Sequence, residues 1–426
     1  MVIFLTTFAQ YLKLIVMKIA VIGGGAAGFF AALAAQENFP EASVVILEKS
    51  KKVLSKVKIS GGGRCNVTNG CTQIKELVKA YPRGEKVLKK AFRIFQTQDT
   101  MDWFEKRGVA LTIQEDQCVF PVAQDSQVVI DCFLKEAKRL GVQILTQRGV
   151  QQLEMVGDAW QLHFQKAAAP PALFDQVIVA TGGSPSPKGL QWLADLGHKI
   201  EPPVPSLFTF NMPQEPEVRE LMGIVVEQTR CSIQGSKFKS EGPLLITHWG
   251  MSGPAILKLS AFGARWLEEK NYQAVLQVNW VDEPNQELVK QALQAIVQEH
   301  PQKQLSNYRP YALPDRLWQY LLQKSQLSPN KKWTELGKKG LNKLSTLLTN
   351  DSYQVAGKTT FKEEFVTCGG VSLSAVHPST FESRVCPNLY FAGEVLDIDG
   401  ITGGYNFQAA WTTAFIAAQL QGSSSS

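Results

Sequence analysis

The chain has 426 residues, of which 44% are hydrophobic, and it carries 44 basic and 38 acidic side chains for a formal net charge of +6. This length and composition predict an ordinary soluble enzyme of two or three domains with a large core. Seven cysteines, an odd and widely scattered set, argue against a disulfide scaffold and favour a reducing, cytoplasmic compartment. The lysines lack the interleaved aromatic residues of a nucleic-acid surface, so we expect no nucleic-acid partner.

Residues 1–16 contain apolar residues and a single lysine. This run is too short and interrupted for a transmembrane span, and it lacks the basic start and the small-residue cleavage site of a signal peptide. We therefore expect no membrane association, and we interpret residues 1–16 as an extension that is disordered or follows from an upstream start codon. The Ser-rich residues 422–426 are expected to form a flexible tail.

The first motif is a strand, a glycine turn, an Ala-rich helix and a second strand that ends on the carboxylate of Glu48. These are the parts of a dinucleotide-binding βαβ unit, in the right order. Gly23 permits the tight turn, Gly25 lets a pyrophosphate approach the backbone, and Gly28 lets helix and strand pack closely. Glu48 would hold the ribose hydroxyls of an adenosine.

Two later strands make FAD the expected nucleotide. QVIVATGG ends on a glycine pair, and NLYFAGEVLDID includes Gly393 and Glu394. A long apolar helix then opens at Gly403 and Gly404. This arrangement closely resembles FAD oxidoreductases, in which the last strand and its Gly-acid pair hold the ribityl chain. In those enzymes the following helix points its N-terminus at the flavin ring, where it stabilises the negative charge of reduced flavin.

The segment KISGGGRCNVTN, with AGEVLDIDGITGGYN and ITHWGMSGPAIL, makes the resemblance more specific. From Met17 to about Leu420 the chain resembles the bacterial NAD(P)/FAD-dependent oxidoreductase family that includes aminoacetone oxidases and a bile-acid-induced flavoprotein reductase. The resemblance implies an α/β fold. A Rossmann-like FAD-binding domain with a parallel sheet is interrupted by an inserted domain, β-barrel-like and then helical.

A proline run, EPPVPSL, marks the point where the chain leaves the first domain. The insertion has strand-like patterns to Asn279 and helical patterns from Gln286, and Glu85 to Arg107 has the pattern of one helical stretch. The predicted domains are residues 17–200 and 356–421 for FAD binding, and residues 201–355 for the insertion.

The motifs and the resemblance together give a set of FAD-binding candidates. Lys56 flanks the second glycine loop and is placed to meet the phosphates. In related flavoproteins the strand that carries Val150 passes the adenine. The predicted cofactor-binding residues are Gly23, Gly25, Ala26, Ala27, Gly28, Glu48, Lys49, Lys56, Gly63, Arg64, Cys65, Asn66, Val150, Thr181, Gly182, Gly393, Glu394, Asp397, Gly403, Gly404, Tyr405 and Asn406.

Cys65 and Cys71 lie beside the second glycine loop, where disulfide reductases keep a redox-active pair. Those enzymes need a fixed, shorter spacing and a second nucleotide fold for NADPH, and the sequence has neither. We therefore favour Cys65 as a small residue packed against the flavin over a dithiol mechanism. No HExxH, CxxC or paired-carboxylate motif indicates a metal or a hydrolase.

His248 is a catalytic candidate with two interpretations. It is a structural histidine before a turn in which Ser252 caps a helix starting at Pro254, or it exchanges a proton with substrate if the insertion folds over the flavin. Tyr405 and Asn406, at the start of the flavin-side helix, are better candidates for contact with the ring.

We predict an FAD-dependent oxidoreductase whose flavin N5 exchanges a hydride with a small organic substrate. In one version, NAD(P)H reduces the flavin transiently and an activated C=C bond takes the hydride. In another, the protein is an oxidase of a small amine or amino-ketone with oxygen as acceptor. A non-enzymatic alternative is an FAD-holding partner or electron carrier for another protein, for example in RNA modification. The sequence does not indicate an oligomeric state.

Overall fold

A computed structural model describes residues 16–165, 170–360 and 366–421. The chain forms two compact units, which we call the first and the second. The first consists of Met1–Val204 with Val366–Ser426, and the second of Pro205–Phe365. The predicted extension and tail lie outside the described residues, apart from Val16.

The strands, in chain order, are β1 Lys18–Ile22, β2 Ser43–Leu47, β3 Thr68–Asn69, β4 Leu111–Ile113, β5 Cys118–Pro121, β6 Gln143–Leu145, β7 Val150–Val156, β8 Ala159–Phe164, β9 Ala172–Phe174, β10 Gln176–Val179, β11 Ile200–Ser206, β12 Thr209–Asn211, β13 Val225–Ile233, β14 Lys239–Ile246, β15 Gly250–Ser252, β16 Gln273–Asn279, β17 Asp351–Ala356, β18 Lys358–Thr359, β19 Val366–Val371 and β20 Leu389–Phe391.

The α-helices, in chain order, are α1 Ala26–Asn38, α2 Ser55–Ile59, α3 Ile74–Leu77, α4 Glu85–Ala91, α5 Thr97–Glu105, α6 Gln127–Leu140, α7 Gln191–Ala194, α8 Pro216–Glu220, α9 Pro254–Phe262, α10 Ala264–Glu269, α11 Gln286–Glu299, α12 Asp315–Lys324, α13 Gly337–Thr349 and α14 Tyr405–Ala417. Among the described residues, no helix is long and apolar enough to cross a membrane.

The first unit is built around a five-stranded parallel sheet in the order β20-β10-β1-β2-β6. The central strand β1 pairs with β10 and with β2, so that Ile19 lies opposite Gln176 and Val44. After its first residue each of the strands β1 and β2 is buried, as expected where both faces of a parallel sheet are covered. The predicted parallel α/β sheet is confirmed.

Helix α1 packs against α14 and α6. Its Phe30 ring contacts the rings of Trp103 and Trp411, with centroids 4.8 and 5.4 Å away. The small alanine side chains of α1 allow such close approach of its neighbours. The first helix of the βαβ unit and the helix that follows the last strand therefore lie side by side.

The stretch from Glu85 to Arg107, predicted as one helical run, forms the two helices α4 and α5. The Asp99 carboxylate accepts a hydrogen bond from the Gln96 N–H at 2.7 Å. This contact caps the first turn of α5 and separates it from α4. The predicted helical stretch therefore consists of two helices with a short break between them.

The second unit contains a seven-stranded antiparallel sheet in the order β17-β16-β13-β14-β15-β12-β18. The predicted change from strand to helix is confirmed, since β16 ends at Asn279 and α11 begins at Gln286. Within the described residues no pairing joins β18 to β17, so the sheet is open rather than a closed barrel. Helices α11 to α13 follow β16, and Trp318 and Trp333 stack in their core.

The proline run at the predicted boundary is the strand β11, which pairs with β19 in a two-stranded sheet. Proline is tolerated in such a strand because an edge leaves some N–H positions without a partner. On the partner strand, Gly369 has φ +107, and an added Cβ would lie 2.4 Å from the Pro202 oxygen. The divisions between the units fall after Val204 and after Phe365.

Candidate functional site

The first glycine turn presents an open helix N-terminus. Gly23 has φ +117 and lies against the Ala180 oxygen, and an added Cβ at Gly28 would lie 1.8 Å from the Gly23 oxygen. A Cβ at Gly25 would meet nothing within 4 Å. Gly25 precedes α1, which has no capping side chain and no acidic residue in its first turn. The N–H groups of such an end, which includes Ala26 and Ala27, favour a phosphate.

The Glu48 carboxylate supports this turn from the end of β2. Its Oε2 accepts a hydrogen bond from the Gly24 N–H at 2.8 Å. Its Oε1 accepts one from the Ser50 N–H at 2.7 Å and another from the Ser50 hydroxyl. A carboxylate accepts about four hydrogen bonds, so Glu48 has room for a ribose hydroxyl. This second role, holding the turn, was not predicted.

The chain after β6 returns beside Glu48. The Arg148 N–H donates to the Glu48 carbonyl at 2.8 Å, and an added Cβ at Gly149 would lie 3.1 Å from the Cβ of Lys49. Val150 follows at the buried start of β7. The structure therefore brings the start of the Val150 strand next to Glu48 and Lys49; Glu48 and Val150 were predicted for the adenosine end, and Lys49 for cofactor binding without a stated part.

The second glycine loop follows α2. Gly63 has φ +86, and an added Cβ there would meet nothing within 4 Å. The next three side chains make contacts within the protein, although only Cys65 is fully buried. The Arg64 guanidinium lies 4.1 Å from the centre of the Phe120 ring, Cys65 is fully buried, and Asn66 Oδ1 accepts from the Val119 N–H at 3.2 Å. The glycine backbone is thus the accessible part of this loop.

Four distant segments meet at Glu394. The Lys56 Nζ lies 2.9 Å from Glu394 Oε2, and the Thr367 N–H donates to Glu394 Oε1 at 2.9 Å. Gly182 has φ +74. An added Cβ at Gly183 would lie 2.6 Å from Thr367 Oγ1 and 2.7 Å from Glu394 Oε1, so any larger residue there would displace one of these side chains.

Thr181 begins the glycine turn after β10 and is exposed. Thr367 and Gly183 were not among the predicted site residues. The available signal was the FVTCGG run and the second glycine of ATGG, and neither pattern indicates that they pack on Glu394.

The last strand of the sheet brings its loop to the start of α1. Gly393 has φ +76, and an added Cβ would lie 2.7 Å from the Cβ of Ala27. The Gly393 N–H donates to Thr413 Oγ1 of α14 at 2.8 Å. Farther along, Asp397 Oδ1 accepts from the Gly369 N–H at 3.0 Å. The predicted residues Gly393 and Asp397 therefore link α1, α14 and β19.

A second open helix N-terminus occurs at α14. Gly403 has φ +121 and Gly404 has φ +85, and an added Cβ at Gly404 would lie 2.2 Å from the Thr68 oxygen. Like α1, this 13-residue helix has no capping side chain and no acidic residue in its first turn. The Asn406 amide is bonded in both directions to the backbone of Gly400, at 2.8 and 2.9 Å. Asn406 therefore fixes the preceding loop.

Tyr405 is half-buried at the first position of α14. Burial raises the pKa of its phenol to about 12, with smaller contributions from the nearby Cys71, Cys118 and Asp116. A phenol with this pKa stays protonated at neutral pH. Tyr405 can therefore hold a proton for donation.

His248 lies in the second unit, in the turn between β14 and β15. Its ring contacts that of Trp249, with 5.0 Å between centroids. The predicted cap was wrong. Helix α9 does begin at Pro254, but its N-cap is Gly253, and the Ser252 hydroxyl instead accepts a hydrogen bond from Thr209 Oγ1 at 2.9 Å. The catalytic role of His248 stays a prediction.

None of the seven cysteines, all within the described residues, forms a disulfide. Burial raises the pKa of the Cys65 thiol to about 12, against a smaller lowering by Ser60. A buried thiol of this kind is inert at neutral pH because the thiolate is the reactive form. Among the described residues, no group of three or more His, Cys, Asp or Glu side chains is arranged to hold a metal ion.

We expect Cys65→Ser and Cys71→Ser each to keep flavin reduction and turnover within a few-fold of the unchanged protein, because neither thiol forms a disulfide. Stopped-flow reduction and steady-state turnover of both variants measure this. Loss of activity in both, with a thiolate-to-flavin charge-transfer band in the unchanged protein, would instead establish dithiol chemistry.

A family model described as HI0933-like protein Rossmann domain matches residues 17–420. The 3-dehydro-bile acid delta(4,6)-reductase of Clostridium scindens is 27% identical over 408 residues, covering 94% of this chain and 98% of the relative. The ribosomal RNA dihydrouridine synthase of Escherichia coli is 29% identical over 411 residues, covering 94% of this chain and 96% of the relative.

Among solved structures, the 3-ketosteroid delta1-dehydrogenase of Sterolibacterium denitrificans is similar over 94% of this chain and 98% of its own, with 11% identity and a TM-score of 0.49. The family match spans the same part of the chain, Met17 to about Leu420, over which the sequence resembled a flavoprotein oxidoreductase family. It confirms that resemblance. The chain belongs to the HI0933-like Rossmann-domain family.

Proposed function

We propose that this FAD-dependent oxidoreductase reduces a C=C bond activated by a neighbouring carbonyl group, with NAD(P)H as electron donor. The observation that carries the proposal is the pair of uncapped, glycine-fronted helix N-termini, at α1 and α14, within one unit. One suits a pyrophosphate and the other suits the electron-rich edge of a reduced flavin. Gly393 packs against Ala27 at the first of these ends, and its N–H bonds to Thr413 farther along α14.

The residues of the first unit fit FAD in order. Glu48 and Val150 would hold the adenosine, and the N-terminus of α1 with the backbones of Gly25 and Gly63 would hold the pyrophosphate. Glu394 and Asp397 would hold the ribityl chain, since each carboxylate is fixed by a backbone N–H of β19. When bound, FAD supplies a hydride donor and acceptor at ring N5.

The chain's own contribution to the reaction is charge and proton control. The N-terminus of α14 stabilises negative charge next to Tyr405. Reduction of a C=C bond adds a hydride to the carbon β to the carbonyl and a proton to the α carbon. Tyr405 donates that proton, because burial keeps its phenol protonated.

The names of two relatives support this reaction class. A delta(4,6)-reductase of a 3-dehydro bile acid and a dihydrouridine synthase both act, by name, on a C=C bond near a carbonyl group. The bond type is common to a steroid and to a pyrimidine base. We propose a small conjugated carbonyl compound as the substrate of this chain.

The test is a pair of anaerobic half-reactions. The purified protein is expected to be yellow and to release FAD rather than FMN on denaturation. NADH or NADPH should reduce the bound flavin and bleach its yellow colour without oxygen. A conjugated enone should then reoxidise the flavin faster than added air does. Reoxidation by oxygen alone, with an amine or amino-ketone as reductant, would favour the oxidase. A protein that takes up no added FAD would overturn the proposal.

Glu48→Ala is expected to raise the Kd for FAD at least tenfold, because the variant loses the ribose acceptor and the hydrogen bond that holds Gly24. The apoprotein should lose only about 1–2 kcal/mol of stability, since the bonds lost are half-exposed. FAD titration and urea unfolding measure the two effects. Glu154→Ala, at an exposed strand position of the same unit, is the matched control. An unchanged Kd would remove Glu48 from the site.

A further inference from the structure

One short segment holds the loop that leads into α14. We call residues 80–84 the clasp and residues 398–405 the ring loop. The Ile401 N–H donates to the Ala80 carbonyl at 2.9 Å, and the Tyr81 hydroxyl donates to the Tyr405 carbonyl at 2.8 Å. The rings of Tyr81 and Tyr405 also meet edge to face, with 6.0 Å between centroids.

A buried ion pair joins the same two segments. Arg83 donates through two guanidinium nitrogens to both carboxylate oxygens of Asp399. The Arg83 side chain is 11% exposed and the Asp399 side chain 0%. A two-point pair of this kind fixes orientation as well as distance. Because removing two charges from water is costly, such a pair is weak evidence for stability but sets a geometry.

Two glycines allow the clasp and the ring loop to pack in direct contact. An added Cβ at Gly400 would lie 2.9 Å from the Cβ of Tyr405 and 3.2 Å from Cε1 of Tyr81. An added Cβ at Gly84 would lie 2.8 Å from Cγ1 of Ile398. The backbone of the ring loop is therefore in direct contact with the clasp.

We propose that Arg83 and Tyr81 are positioning residues that set the flavin-ring end of the site before FAD binds. The inference rests on the proposed function, which places the ring at the start of α14. The hydrogen bonds given above join the clasp to the ring loop, at the α14 end of the proposed site. Loss of the clasp should therefore affect the ring and the reaction more than retention of the adenosine.

The experiment compares Arg83→Met, Asp399→Asn and Tyr81→Phe in the FAD-loaded full chain. The double variant Arg83→Met with Asp399→Leu removes both charges, so that no unpaired buried charge can prevent folding. Arg230→Met is the control, because Arg230 and Asp282 form an Arg–Asp pair in the second unit that is partly exposed. Measured quantities are FAD content, flavin fluorescence and absorbance, midpoint potential, kcat and KM.

We expect the clasp variants to keep FAD but to show brighter flavin fluorescence, a shifted midpoint potential and a kcat lower by up to about 100-fold, as a displacement of 1 Å can cause. Tyr81→Phe should show the smallest shift, and Arg230→Met none. Clasp variants with the fluorescence, potential and kcat of the unchanged protein would overturn the proposal, even if their melting temperatures fall. An unchanged protein without bound FAD would overturn the proposed function first.

Discussion

Tyr405→Phe is expected to lower turnover of a conjugated enone by about 10²- to 10⁴-fold while FAD stays bound, because the variant lacks the proposed proton donor. Rapid-reaction measurements should show normal reduction of the flavin by NAD(P)H and slow reoxidation by the enone. The control is Tyr390→Phe, which removes a buried phenol in the same unit whose hydroxyl has no hydrogen-bond partner among the described residues.

The pH dependence gives a second check on Tyr405. Its acid form is present below its pKa, which burial raises to about 12. The rate of enone reduction should therefore show no loss from this group up to about pH 10, and any decline belongs to another residue. If flavin reoxidation by the enone is unchanged in Tyr405→Phe, another residue donates the proton. His248→Ala would then be the next variant to test.

Two alanine substitutions in one turn are expected to fail in different ways. Gly28→Ala places a Cβ 1.8 Å from the Gly23 oxygen, a backbone clash that should destabilise the apoprotein by about 3 kcal/mol or prevent folding.

Gly25→Ala places a Cβ in open space. The apoprotein should then be unchanged in stability, and the Kd for FAD should rise at least tenfold because the methyl group occupies the phosphate position.

Urea unfolding of the apoproteins and FAD titration separate the two variants. If Gly25→Ala binds FAD normally, the pyrophosphate does not lie at the N-terminus of α1. If Gly28→Ala is stable, helix α1 can shift away from β1, and its close packing is not required.

The parts of the fold that follow from local pattern were predictable. The βαβ unit around Gly23 and the change from strand to helix after Asn279 depend on residues close together in the sequence. The pairing of Lys56 with Glu394 joins residues 338 positions apart, and nothing local in either segment indicates the partner. For the same reason Thr367 was missed as the backbone donor to Glu394.

The hydrogen-bonding roles of individual polar side chains were hard to predict from the sequence. Asn406 was expected at the flavin ring, but its amide is bonded to the backbone of Gly400. Ser252 was expected to cap α9, and Gly253 does so without a side chain. In both cases the residue type fits several hydrogen-bonding partners, and only the folded backbone decides among them.

The edge strand β20 pairs with β10, with Leu389 opposite Val177, although the whole second unit separates them in the chain. On a ribosome the second unit would take on the order of 10 s to synthesise at about 5–20 residues per second. During that time β10 lacks its partner β20 and is an exposed sheet edge, which is an aggregation hazard. Gly393 and the start of α14 follow the second unit in the chain, so the flavin-ring end of the proposed site is synthesised well after the βαβ unit that would hold the pyrophosphate.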